Sequence, residues 1–205
     1  MRATEAYASL RGLGRPALFT RDAAHRLRIS IPAANGLMAR LVSAGLASRI
    51  RHGLWTLDKN VDALALPEFL TTPYPAYVSL HSALWFRGLC QQIPTVVYVV
   101  SLGRPRRIPT GVATFSIHRL PAGLFGGYEF LESSHVKLAT AEKALFDMAY
   151  LANAKSRLFA HLAEIELPAS FDDTLARSWI GRIADTNRRA WVAARLDAML
   201  RSAAA

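Results

Sequence analysis

The chain has 205 residues, 52% of them hydrophobic and 20% charged, and a formal net charge of +10, which allows one sizeable core or two modest ones. Its single cysteine, Cys90, excludes an internal disulfide, and its six histidines (25, 52, 81, 118, 135 and 161) lack metal-ligand spacing. The longest strongly apolar run, Ile93 to Leu102, falls far short of the roughly 20 residues that span a bilayer, so the expectation is a cytoplasmic protein outside the membrane.

The charge is unevenly placed. Residues 1–57 hold nine arginines against Glu5 and Asp22, a net of +7, whereas the other 148 residues hold 16 Lys and Arg against 13 acids, a net of +3. A basic surplus confined to one small domain is an electrostatic footprint for phosphate backbones.

In chain order, Ala3 to Leu13 has a helical pattern with Tyr7, Leu10 and Leu13 or Ala6 on one face, broken by Gly12, Gly14 and Pro16. Thr20 stands at an N-cap position, with Arg21 and Asp22 in the first turn and Ala23, Ala24 and Leu27 facing inward. Arg28-Ile29-Ser30 forms a turn, and Ser30 caps a third helix that carries Pro32 in its first turn. That helix runs from about Ile31 to Ala44, with Ala34, Leu37 or Met38, and Leu41 buried, and Gly45 closing it. Its other face holds Ala33, Asn35, Gly36, Ala39, Arg40 and Ser43, small enough to lie in a major groove. There Asn35 is placed to pair with adenine and Arg40 with guanine or phosphate. Ser48 to Arg51 and Leu54 to Leu57 alternate as a hairpin about His52-Gly53, with Ile50, Leu54 or Trp55, and Leu57 inward. Arg49, Arg51 and His52 then sit at its tip, near phosphate. Helix, turn, helix and basic hairpin is the order of a winged helix-turn-helix, whose usual partner is duplex DNA. The expected contact set is Thr20, Arg21, Arg28, Ser30, Ala33, Asn35, Arg40, Arg49, Arg51 and His52.

From Asp58 the texture changes. Pro67, Pro73 and Pro75 punctuate a stretch taken as a boundary, residues 58–76. SLHSALWFRGL from Ser79 reads as an amphipathic helix, PTVVYVVS as a buried strand, and GVATFSIHRL as its partner, with Pro105 and Pro109 in a basic loop between them. LFGGYEFLE then HVKLATAEKALFDMAYL gives a glycine turn, a brief strand, and a helix capped by Thr140. Lys155 to Ser202 is expected to be mostly helical, interrupted near Pro168, with its arginines on a solvated face among Asp172, Asp173, Asp185 and Asp197. The expected fold is α+β: a winged helix-turn-helix (1–57), then a mixed α+β domain with a helical tail (77–205).

Ser79 to Gly88, then PTVVYVVS, LFGG and ATAEKALFDMAYL, in that order behind a basic winged helix with a GLWTL wing, resembles the abortive-infection AbiEi antitoxin family over about residues 15 to 155. The resemblance implies a two-domain antitoxin of a type IV toxin–antitoxin system. In it the winged helix represses the operon promoter, and the C-terminal part counters a nucleotidyltransferase-type toxin encoded next door. The family pattern also marks Glu142, Lys143 and Asp147. Lys143 and Asp147, four apart, suit a surface or interface ion pair, and Glu142 suits the positive end of its helix. Ser79 and Ser82, flanking His81, suit an N-cap and an ordinary polar position.

No GxxxxGKS/T, GxSxG or GxGxxG occurs, so no catalytic centre, cofactor or metal is expected. Double-stranded operator DNA, with inverted repeats and two copies of the chain, is the expected partner. The alternatives are a transcription factor whose C-terminal domain senses a small molecule, and a nucleic-acid enzyme, which would need clustered carboxylates the sequence lacks.

Overall fold

The structure, a computed structural model, describes residues 2–131, 135–152 and 165–203. It is a mixed α+β fold whose two sheets meet through one apolar cluster. The first of the expected tail, 155–164, and His161 lie outside the described residues.

Helix α1 spans Ala3–Arg11 and buries Ala6 and Leu10. Strand β1, Leu18–Phe19, leads directly into α2, Thr20–Leu27. The cap of α2 is Phe19, not the expected Thr20: the Asp22 carboxylate accepts the Phe19 N–H at 2.9 Å. The Thr20 N–H is instead donated to the Gly53 carbonyl at 3.0 Å. Helix α3, Ile31–Ser43, starts at Ser30, whose Oγ accepts the Ala33 N–H at 3.3 Å. It ends in a Schellman motif: Leu46 N–H reaches Leu41 O, Gly45 N–H reaches Val42 O, both at 2.9 Å, and Gly45 takes φ +69°.

Strands β2, Ser48–Arg51, and β3, Leu54–Thr56, complete an antiparallel sheet of order β1-β3-β2. The central position of β3 resolves the choice between Leu54 and Trp55, because both are buried, on opposite sides. Trp55 and Leu57 join Leu10, Leu37, Met38 and Leu41 in the cluster under α1–α3. Leu54 and Ile50 join a second cluster with Leu66, Leu70, Val99, Phe115 and Ile117.

That second cluster runs through the stretch expected as a boundary. Residues 58–76 hold a 3-10 turn, Ala63–Ala65, and helix α4, Pro67–Thr71, whose Leu70 is buried along with the preceding Leu66. Strand β4, Ala76–Val78, then enters a six-stranded sheet with β5, Val97–Ser101; β6, Arg106–Pro109; β7, Thr114–Arg119; β8, Tyr128–Phe130; and β9, Lys137–Ala139. The order is β6-β7-β5-β4-β9-β8, with β5 parallel to β7, β4 parallel to β9, and the other pairs antiparallel. The expected partner of β5 is indeed β7. The basic loop between them is, however, an edge strand, β6, where Pro109 removes no interior ladder bond. Strand β9 lies just before the helix that Thr140 caps.

Alternation gives the sheet two packed faces. Ala76 and Val99 turn to the cluster of the first sheet and α4, whereas Tyr77 and Val100 turn to the helical side. On that side lie α5, Leu80–Phe86; α6, Ala141–Leu151; α7, Asp173–Ser178; and α8, Thr186–Ala203. Thr140 caps α6 as expected, its Oγ1 accepting the Lys143 N–H at 3.2 Å. Among the described helices none is long and apolar enough to cross a membrane.

Candidate nucleic-acid interface

Helix α3 divides cleanly. Ala34, Leu37, Met38 and Leu41 are buried, while Ala33, Asn35, Gly36, Ala39, Arg40 and Ser43 are exposed. No acid stands in its first turn, so the positive end of the helix dipole is unopposed. Ile31 leaves 57% of its surface exposed at that end. A Cβ built on Gly36 would lie 3.8 Å from Arg40 Nη1, so the Arg40 side chain folds back one turn along the open face.

Asn35 is held in place from below. The buried Trp55 indole Nε1 donates to Thr20 Oγ1 at 2.9 Å, and that hydroxyl donates to Asn35 Oδ1 at 3.2 Å. The Thr20 hydroxyl thus stands between the two, accepting from Trp55 and donating to Asn35. This leaves two Nδ2 donors and one Oδ1 lone pair for an outside partner. Thr20 itself is only 7% exposed. This corrects its expected place in the contact set: it orients Asn35 and does not reach solvent. Trp55 was missed as part of the site, because its indole tip serves Thr20 while its ring reads as core.

The hairpin of β2 and β3 bulges between Arg49 and Arg51, and Gly53 turns at φ +71°. Arg49 Nη2 donates to His52 Nδ1 at 3.0 Å, and the same guanidinium lies 5.7 Å from the Trp55 ring centroid. Arg49, Arg51 and His52 are all exposed. The Thr20–Gly53 bond ties this hairpin to the start of α2, so Trp55, Thr20, Asn35 and the hairpin turn form one bonded unit. Arg28, exposed in the turn between α2 and α3, is held left-handed at φ +54°. The Ser30 hydroxyl is engaged by its cap, and Ala33 is exposed beside it. Arg21 goes elsewhere: its guanidinium lies over the Phe19 ring at 4.7 Å and lines a cleft against α4.

The second motif forms a different kind of site. Lys143 and Asp147 are both wholly buried, so the ion pair expected at a surface or an interface lies inside the protein. Lys143 Nζ donates to Asp147 Oδ1, and Asp147 Oδ2 accepts from Tyr77 OH at 2.9 Å and Ser79 Oγ at 2.8 Å. Ser79 holds the N-cap position of α5, yet its hydroxyl bonds Asp147 and not the helix backbone. The next residue, Leu80, is buried at φ +57°, a left-handed conformation that costs a branched side chain about 1–2 kcal/mol. Trp179, Phe146 and Tyr77 surround the ammonium at 4.6, 5.1 and 5.6 Å. Gly127 is required here, since a Cβ on it would fall 2.7 Å from the Trp179 ring and 2.9 Å from Lys143 Cγ.

Burial pushes the Asp147 carboxyl up against the pull of Lys143 and pushes the Lys143 amine down; it also raises the Tyr77 phenol well above its ordinary range. Ser82 is likewise internal, accepting the Tyr98 N–H at 2.9 Å and donating to Val96 O at 3.3 Å. Glu142 stands in the first turn of α6, where its carboxylate accepts the Asp172 N–H at 3.4 Å. This network joins β4, α5, α6 and the segment carrying Trp179. It presents no surface to a macromolecule.

No known protein-family model matches the chain, and no curated protein matches it in sequence.

Proposed function

We propose that residues 1–57 form a winged helix that binds duplex DNA, and that the protein is an antitoxin repressing its own operon. The observation that carries the DNA reading is the oriented Asn35, set on the exposed face of α3 and bonded through Thr20 to a hairpin bearing Arg49, Arg51 and His52. The net charge of +7 over these residues supports it. In this reading α3 lies in the major groove, the hairpin tip meets phosphate, and two copies occupy an inverted repeat. The antitoxin half, opposition to a nucleotidyltransferase-type toxin, is supported by the likeness of the segments after Ser79 to the AbiEi family.

Fluorescence anisotropy on the DNA upstream of the gene tests the first half. Affinity is expected to fall with salt at roughly 0.9 per phosphate contacted on a log–log plot, and R49A/R51A to weaken binding to every sequence and flatten the slope by about 2. A salt-independent affinity would overturn the phosphate-contact picture. Growth rescue on co-expression with a neighbouring nucleotidyltransferase gene tests the second half, and persistent toxicity at matched expression counts against it. A second reading, a transcription factor gated by a small molecule, is favoured by the cleft between α2 and α4.

A further inference from the structure

That cleft has a volume of about 390 Å³ and opens between the start of α2 and helix α4, with β8 at its side. Three phenyl rings line it. Phe19 and Phe69 stand 6.2 Å apart at a tilt of 44°, and Phe130 on the edge strand is 66% exposed. A phenyl left this open beside a cavity is apolar surface that a ligand can cover.

The charges in the cleft are unequally engaged. Both carboxylates already have partners: Asp22 accepts the Phe19 N–H at 2.9 Å, and Glu68 takes Lys137 Nζ at 2.6 Å. The two guanidiniums do not. Arg21 lies only over the Phe19 ring, and exposed Arg15 makes no hydrogen bond or ion pair among the described residues. Arg15 also lines an adjoining cleft of about 310 Å³. The cavity thus offers aromatic walls, two carboxylates already engaged, and a planar cation, Arg15, that has no partner among the described residues. Its volume lies at the small end of the range for small-molecule sites, about 300–1,000 Å³.

We propose that this cleft binds a small aromatic carboxylate, its ring against Phe69 and Phe130 and its carboxylate paired with the Arg15 guanidinium. A guanidinium presents two parallel donors that match a carboxylate, whereas a bare cationic surface would take any anion. Offset ring packing on the phenyls supplies the selectivity for an aromatic body. The ligand touches both parts of the molecule, because Phe19 caps α2 while Phe69 and Phe130 belong to the six-stranded half. Phe19 precedes Thr20, which orients Asn35, so occupancy reaches the face of α3. That last coupling rests on the proposed DNA function, but the binding itself does not.

Isothermal titration of the full-length protein with 1-naphthoate tests the site, with 1-naphthamide and inorganic phosphate as controls. Saturable binding with a dissociation constant of about 0.1–1 mM is expected. The uncharged amide, and the exposed-site variant Arg15→Gln, should each bind about tenfold more weakly. Phe130→Ala, also at an exposed position, should lose about fivefold. Absence of saturation by about 5 mM, equal affinity for the amide, or full binding by R15Q would each overturn the proposal. Phosphate binding as tightly as naphthoate would also overturn it, since the rings would then contribute nothing. A separate anisotropy titration with and without naphthoate reads the coupling. If the protein binds no DNA under any condition, the functional reading fails while the calorimetric result stands.

Discussion

Thr20 does more than its position in the sequence suggests. Followed by Arg-Asp, it has the form of a helix cap, and that reading misses by one residue because the Asp22 carboxylate secures the Phe19 N–H instead. Its hydroxyl is then free to relay from Trp55 to Asn35, a partner 35 residues away on one side and 15 on the other. Replacing it by valine keeps the shape and deletes both bonds. T20V should lose about 1–3 kcal/mol for the buried indole left unpaired, and should bind operator and random DNA with nearly equal affinity. T20S should retain stability and discrimination. Urea unfolding and competition binding read the two effects, and identical behaviour of the two variants would refute the relay. Ser30, by contrast, was legible, since a cap that bonds three residues ahead needs no tertiary information. Lys143 and Asp147 were not. Four-residue spacing of opposite charges reads as a surface or interface pair, and the rings that enclose the ammonium include Tyr77 and Trp179 from distant segments.

At the scale of elements, segments with clear periodicity or a marked turn were readable, and several short strands without either were not. Helices α1 and α3 follow their apolar spacing closely, whereas α6 is buried at every position from Lys143 to Leu151. Strands β1, β4 and β9 have two or three residues each, too few to display alternation, and β6 is written in arginine and proline. Their identity comes from the neighbours they pair with. Within α3, Gly36 is the weak position. A Cβ there meets only Arg40 Nη1, at ordinary contact distance, so nothing in the fold demands glycine. Gly36→Ala should therefore raise stability by about 1 kcal/mol, visible as a higher melting temperature. If α3 lies against a groove floor, the same methyl lowers DNA affinity. A variant that is more stable and binds as well as the parent would place Gly36 outside the interface.

For the whole molecule, the helical side is locked by a charge pair and the other side by an apolar cluster shared between the two sheets. The lock makes a distinctive stability prediction. Removing one charge leaves the other buried without compensation, at a cost of about 3–5 kcal/mol for Lys143→Met or Asp147→Asn alone. The double variant K143M/D147N carries no charge and still offers Tyr77 and Ser79 an acceptor. It should recover most of that loss in urea unfolding, and additive costs would show that the pair is not coupled.

The shared cluster has a partner in the backbone. The Gly111 N–H, at the tip of the hairpin between β6 and β7, approaches the Ile50 carbonyl at 3.4 Å, and a Cβ on Gly111 would stand only 3.2 Å from Arg49 O. Strand β2 is one of the two edges of its sheet, a place where a second chain could add a strand. The hairpin tip already sits on that edge, and glycine is what lets it come so close. That edge is therefore already occupied beside Arg49 and Ile50, and a second chain cannot extend the sheet there.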